Sequence, residues 1–183
     1  LFSIMLVNNE TGVIQPLGEA AKILKPLGHL VHTDAIQAVG KIPFSFDALG
    51  VDMMTISAHK FGGPLGCGAL IVRDSLHLTS LIKGGGQEFG MRSGSVAHPL
   101  VHSMAVALEN CGVSFQEIEP LRDYLESQLE DCAIIHGREV PRVPNTSSIA
   151  MPGVESQLQL MSFDLEGVAV SAGSACSSGK VAS

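Results

Sequence analysis

A lysine does covalent chemistry only where its charge is suppressed and a ligand can reach it. Lys60 closes the run Ser57-Ala58-His59-Lys60, which offers such a setting. Before it, Val51-Asp52-Met53-Met54-Thr55-Ile56 is rich in β-formers and predicts a strand. After it, Phe61-Gly62-Gly63-Pro64-Leu65-Gly66 predicts a glycine and proline turn. Lys60 is thus expected at a strand exit, where the backbone can approach a ligand and the amine can form a Schiff base with an aldehyde. Upstream, His32-Thr33-Asp34-Ala35-Ile36-Gln37 predicts a second strand end, this one carrying an acid. A Schiff-base lysine with a separate aspartate is the pairing that pyridoxal phosphate (PLP) requires, because the carboxylate keeps the pyridine nitrogen protonated. A lysine alone at a turn is far more often solvated than catalytic. The combination sets this one apart.

The elements that must hold these residues follow from the pattern. Residues 1–7 read as a buried strand, and Asn8-Asn9-Glu10-Thr11-Gly12 as its turn-rich exit. Leu17, Ala20, Ala21, Ile23, Leu24 and Leu27 recur at near-helical spacing behind Pro16, and Gly28 stops that helix. Strands are expected over 29–34, 51–56 and 66–73, with 43–49 as a connection; the last strand follows so short a turn that it should run antiparallel. The order predicts an α/β sheet, mostly parallel, with helices on both faces. Ligands in such sheets gather at the carboxyl ends of strands. Asn9, Asp34 and Ser57–Lys60 all fall at such ends. Lys83 to Ser95 is a glycine-dense loop, and 96–110 reads as a long helix. Ser114 with Glu117 three residues on reads as a capping box opening a helix to about residue 130. Strands at 133–136 and 147–151, a helix over 154–165 and a short strand at 168–170 complete the chain. Residues 1–113 are therefore expected to form a large domain, and 114–183 a smaller α+β one.

Composition narrows the field. The 183 residues carry a net charge of −7, which argues against a nucleic-acid partner. Hydrophobic residues make up 45%, enough for a real core. No run approaches about 18 consecutive apolar residues, so no membrane span is expected. Cys67, Cys111, Cys132 and Cys176 form neither a CxxC pair nor a metal spacing, which favours a reducing, cytoplasmic setting and no metal. The chain opens inside a strand without methionine and closes at Ser183 without a terminal element. It reads as a fragment whose N- and C-terminal parts are missing, with apolar faces and sheet edges left uncovered.

Five blocks, in order, carry a resemblance: Val7–Val13, His32–Gln37, Ser57–Lys60, Gly84–Ser95 and Ser171–Gly179. Together they are similar to cysteine desulfurases of the NifS/IscS kind, within the class V aminotransferase group of fold-type I PLP enzymes. The resemblance implies a PLP-dependent transferase fold in which Lys60 is the Schiff-base residue. Asp34 resembles the partner of the pyridinium nitrogen, although Asp is also a common helix N-cap. Gln37 matches the contact to the cofactor's phenolic oxygen, and Asn9 a residue near that oxygen and the substrate carboxylate. A helix-surface Gln and a turn Asn are the ordinary alternatives, and Asn8 competes with Asn9. Ser57 and His59 match donors to the phosphate. Ser95, where the family more often has threonine, matches a hydroxyl that reaches the phosphate across a dimer interface; helix N-capping is its ordinary use. Arg92 shares that loop without an assigned role.

Cys176 resembles the family's nucleophile, a mobile thiolate that takes sulfur from PLP-bound L-cysteine as a persulfide. Its neighbours Gly173, Ser174, Ala175, Ser177, Ser178 and Gly179 offer little bulk and much freedom. Cys67 and Cys111 fit buried structural roles better. The long S-A-G-S-A-C-S-S-G loop resembles the branch that supplies sulfur for iron–sulfur clusters. The implied activity is therefore L-cysteine to L-alanine with sulfur left on Cys176, in a homodimeric parent enzyme that serves an iron–sulfur scaffold or other sulfur acceptor. The ring-stacking histidine and the carboxylate-binding arginine of the family have no counterpart in these 183 residues. Two rivals remain: another class V enzyme, such as a selenocysteine lyase or transaminase, and a non-catalytic truncated form that associates with a partner.

Overall fold

The structure, a computed structural model, describes residues 1–112 and 115–173. Its described residues form two compact units. One comprises Leu1–Val7 and Gln15–Phe115; the other comprises Asn8–Ile14 and the residues from Gln116 on.

The first unit is built on a four-stranded sheet of order β1-β2-β3-β4. Its strands are β1 (Phe2–Met5), β2 (Val31–Asp34), β3 (Met53–Ser57) and β4 (Gly68–Val72). β1, β2 and β3 run parallel, and β4 returns antiparallel. The expected antiparallel return follows from the short connection over residues 58–67, fewer than the dozen or so that a crossover needs. Along β2, Val31 and Thr33 are fully buried while His32 and Asp34 are half-buried, as suits a central strand. Leu17 and Ala21 of α1 (Leu17–Leu24) are buried too. Full burial of a side chain such as Val31 is worth roughly 1.5–3 kcal/mol. The segment 43–49, expected only as a connection, contains a one-turn helix, α2 (Phe46–Leu49). Ser45 Oγ accepts from the Ala48 N–H at its start, and Gly50, in the left-handed region, ends it. The helix expected over 96–110 is α3 (His98–Asn110).

Asp52 ties this sheet together at its entry edge. Its Oδ2 accepts the Val31 N–H at 2.9 Å, its Oδ1 meets Lys25 Nζ at 2.9 Å, and its own N–H donates to Val31 O at 2.8 Å. The starts of β2 and β3 and the end of the α1 region therefore meet on one buried carboxylate. Burial opposes its ionisation, but the Lys25 and Val31 hydrogen bonds outweigh that and hold its pKa below the usual aspartate value.

In the second unit, a 3-10 turn at Phe115–Ile118 leads into α4 (Glu119–Ser127). Ser114, expected to cap a helix there, lies outside the described residues. The short strands β5 (Ile134–Ile135) and β6 (Ile149–Ala150) pair antiparallel, and α5 (Ser156–Leu165) follows. Val168–Val170 is not a strand. The Val168 N–H turns back to Phe163 O at 2.8 Å and caps α5, with Gly167 at φ 75°, so the segment starts no ladder. Asn8–Ile14 packs within this unit: Ile14 N–H donates to Pro141 O, and Val143 N–H to Gly12 O. Gly12 has φ 72°, and a Cβ there would lie 2.9 Å from Thr146 Cβ, so only glycine fits.

The unit's core is fastened by a buried ion pair. Glu126 receives two 2.8 Å hydrogen bonds from Arg142 and one of 2.7 Å from Ser147 Oγ. The side chains of Arg142 and Glu126 are only 5% and 4% exposed. The Arg142 bonds lower the Glu126 pKa against the opposing effect of burial, and Ser147 helps. Arg142→Ala should leave a buried, uncompensated carboxylate and cost about 3–5 kcal/mol in urea unfolding. Because the folded Glu126 pKa is depressed, its contribution is complete above the unfolded value. It should disappear as pH falls through the folded value. An acid titration followed by circular dichroism should show that loss in the wild type and not in Glu126→Gln.

Candidate active site

The parallel pairing of β2 with β3 sets Asp34 opposite Thr55. Two strand exits therefore leave the same edge of the sheet side by side. From β2 the chain enters a helical turn, with the N–H groups of Ala38 and Val39 bonded to Ala35 O and those of Lys41 and Ile42 to Ala38 O. Asp34 Oδ1 caps that turn by accepting the Ile36 N–H at 2.8 Å. The ordinary use of an aspartate at this place is thus real, but it occupies one oxygen. Oδ2 makes no hydrogen bond among the described residues and remains available to an N–H donor.

From β3 the chain passes through Ser57 into a 3-10 turn, Ala58–Lys60. Ala58 is fully buried against Val39, Phe61 and Met104, which pins the turn while Lys60 stays half-buried. The Gly63 N–H returns to Ala58 O at 2.9 Å, and a Cβ on Gly63 would come within 2.8 Å of Ala58 Cβ. That close approach explains the glycine. Ser57 Oγ lies 2.9 Å from His59 Nδ1. If the hydroxyl donates, His59 Nε2–H is left over; if the ring donates, the serine O–H is left over. Either arrangement keeps a donor for an anion such as a phosphate.

Gln37 also faces this edge, and it has a partner that the sequence reading overlooked. Lys41 Nζ donates to Gln37 Oε1 at 2.6 Å. Burial first, and then the nearby Lys60 charge, lower the Lys41 pKa below the usual lysine value. The available signal was the four-residue spacing of Gln37 and Lys41 in a helical turn, which puts them on one face.

Asp34, Gln37, Ser57, His59 and Lys60 thus come from two neighbouring exits of one unit. Their chemistry fits PLP: a primary amine, a carboxylate with a spare oxygen, an amide and a pair of anion donors. Asn9 lies in the second unit, where Asn8 Oδ1 takes the turn role by accepting from the N–H groups of Glu10 and Thr11. Ser95 is exposed in the loop that follows Lys83. Cys176 lies outside the described residues, whereas Cys67 and Cys111 pack against the Ala58 cluster. Among the described residues no helix is long and apolar enough to cross a membrane.

The profile of the aminotransferase class-V family matches residues 1–182. The chain is 42% identical to the cysteine desulfurase IscS of Dictyoglomus turgidum over 186 residues, covering 97% of this chain and 47% of that protein. It is 40% identical to a cysteine desulfurase of Enterobacter agglomerans, covering 99% and 47%. A crystal structure of a NifS-like protein from Rickettsia africae superposes with a TM-score of 0.87 at 38% identity, over 94% of this chain and 49% of that one. The chain spans about half the length of the curated relatives it matches.

The capping bond separates two uses of Asp34. Asp34→Asn keeps the oxygen that accepts the Ile36 N–H and should leave stability nearly unchanged. Asp34→Ala should cost about 1 kcal/mol in chemical denaturation. Equal stability of the two variants would show that the cap contributes nothing.

Proposed function

The chain belongs to the aminotransferase class-V family, and from that membership we propose that it is part of a PLP-dependent cysteine desulfurase. In this reading residues 1–113 are most of the large cofactor-binding domain and 114–183 part of the small domain. The parent enzyme is a cytoplasmic homodimer that converts L-cysteine to L-alanine and passes sulfur to an iron–sulfur scaffold or another acceptor. The observation that carries the reading is the convergence of Lys60, Asp34, Gln37, Ser57 and His59 on two adjacent strand exits. The 42% identity to a cysteine desulfurase supports the choice of reaction.

PLP, when bound, supplies the electron sink that lets a substrate α-proton leave. The protein's own residues do the rest. Lys60 would hold the cofactor's aldehyde group, and its free amine would take the α-proton as a general base. Asp34 Oδ2 would accept the ring N–H and keep that nitrogen protonated, while Oδ1 stays on the Ile36 N–H. Gln37 would donate to the phenolic oxygen. Ser57 and His59 would donate to the phosphate, and Ser95 would do so from the partner protomer. Asn9 would be the residue that, by the family resemblance, serves the phenolic oxygen and the substrate carboxylate. Cys176, as thiolate, attacks the substrate sulfur: the S–S bond forms as the C–S bond breaks, and the electron pair returns to the substrate carbon.

Borohydride reduction of the loaded protein should fix a pyridoxyl group on Lys60, read by peptide mass spectrometry. Label on a different lysine would overturn the assignment. Asp34→Asn should still take the label but lose most turnover, since a neutral amide cannot hold the ring nitrogen protonated.

The sulfur acceptor is tested separately. In the intact parent protein, Cys176→Ser should abolish persulfide formation from L-cysteine and leave cofactor absorbance unchanged. Alanine substitution of Cys67, Cys111 or Cys132 should at most cost stability, by roughly 1–3 kcal/mol where buried. A persulfide trapped on another cysteine in Cys176→Ser would contradict the role given to the loop. Turnover of selenocysteine, or of amino-acid and 2-oxo-acid pairs, in preference to L-cysteine would redirect the reading within the family.

A further inference from the structure

Lys41 is a second lysine at the site, and the functional reading gives it no task. Its position is costly. The side chain is half-buried, the Lys60 charge acts on it, and its hydrogen-bond partner is the neutral Gln37 rather than a carboxylate. Like charges held close in a partly dry setting work against folding. An ordinary surface lysine four residues beyond a glutamine would swing into water instead. Sites that break a local rule in this way are candidates for function. The charged group that faces Lys41 from a neighbouring element is Lys60, at the end of the turn after β3; on its own turn the partner is the neutral Gln37.

The 2.6 Å bond to Gln37 indicates the task. An amide has an accepting end and a donating end, and a free glutamine can present either. An ammonium only donates. Lys41 must therefore take Oε1, which leaves the amide NH2 for another acceptor. An ionised phenolic oxygen only accepts, so this is the end that it needs. We propose that Lys41 is a positioning residue, which locks the Gln37 amide with its N–H donors toward the cofactor's phenolic oxygen and so favours the ionised phenol. The proposal rests on the PLP reading of Lys60 and Gln37 given above. It extends that reading to a residue that touches neither cofactor nor substrate. With the amide fixed before the cofactor arrives, no reorientation is required on binding.

The test uses the intact, PLP-loaded protein. It reads the ratio of the long-wavelength, ionised-phenol band to the short-wavelength, neutral-phenol band at neutral pH. Lys41→Met should lower that ratio by about threefold or more, the equivalent of one hydrogen bond. Gln37→Ala should lower it by a similar factor, and adding Lys41→Met to Gln37→Ala should change nothing more, because Lys41 acts through Gln37. Lys41→Arg keeps a donor and should restore the wild-type ratio. If Lys41→Met does not fold, Lys41→Gln, which loses the donor-only charge, should move the ratio in the same direction. An unchanged ratio in the uncharged variants, or a further fall when Lys41→Met is added to Gln37→Ala, would overturn the proposal. A purely structural lysine would lower the melting temperature without moving the ratio, which also overturns it. Borohydride labelling separates the two failures. Lys60 labelled with an unmoved ratio removes only the role of Lys41, whereas an unlabelled Lys60 in the wild type removes the PLP reading and this inference with it.

Discussion

The parallel register of β2 against β3 is the constraint on which the site depends. It pairs His32 with Met53, Thr33 with Met54 and Asp34 with Thr55. A slip of one residue would carry Asp34 to the opposite face and bury a charge where Thr33 now sits. Two devices oppose that slip. Val31 and Thr33 fill the buried face of β2 completely. At the entry edge, Asp52 bonds the Val31 N–H and Lys25 at once, fixing where β2 and β3 begin relative to each other. The acid that fastens the sheet thus stands at one end of the strands, and the groups assigned to chemistry stand at the other.

That separation lets the exits carry features that a stable core would avoid. At the entry edge a carboxylate meets a lysine. At the exit edge the charges of two lysines oppose each other, and half of a carboxylate has no hydrogen bond among the described residues. The turn after β3 tolerates this because its apolar residue, Ala58, is locked into the cluster of Val39, Phe61 and Met104. One buried methyl group and a glycine at 63 hold the backbone, so Ser57, His59 and Lys60 are free to face a ligand.

Much of this arrangement is legible in the sequence because it depends on local signals. Strand exits are marked by runs of β-formers that end in Asp34 or in the Gly/Pro turn after Lys60. The antiparallel return of β4 follows from a short connection, residues 58–67. Other features depend on partners distant in sequence, and these the sequence does not show. Nothing near residues 8–14 indicates that the segment pairs with 141–143 in the second unit. Asp52 reads as a break in an apolar run until Lys25 and Val31 are seen beside it. Val168–Val170 has strand composition, but its first N–H is used to cap α5. The short helix at Phe46–Leu49 did have a signal, a serine before it and a glycine after it, overlooked because one turn leaves no periodicity. Lys41 was overlooked for a different reason: its spacing from Gln37 is ordinary, and only the proximity of Lys60 makes it unusual.

The central claim is that the exits of β2 and β3 form one cradle, with covalent attachment at Lys60 and the ring nitrogen on Asp34. A crystal structure of the intact protein grown with PLP tests it most directly. The account predicts continuous density from Lys60 Nζ to the cofactor's aldehyde carbon, with Asp34 Oδ2 at about 2.8 Å from the ring nitrogen. Density elsewhere on the sheet, or a ring nitrogen facing solvent with Asp34 bonded only to its own turn, would contradict it.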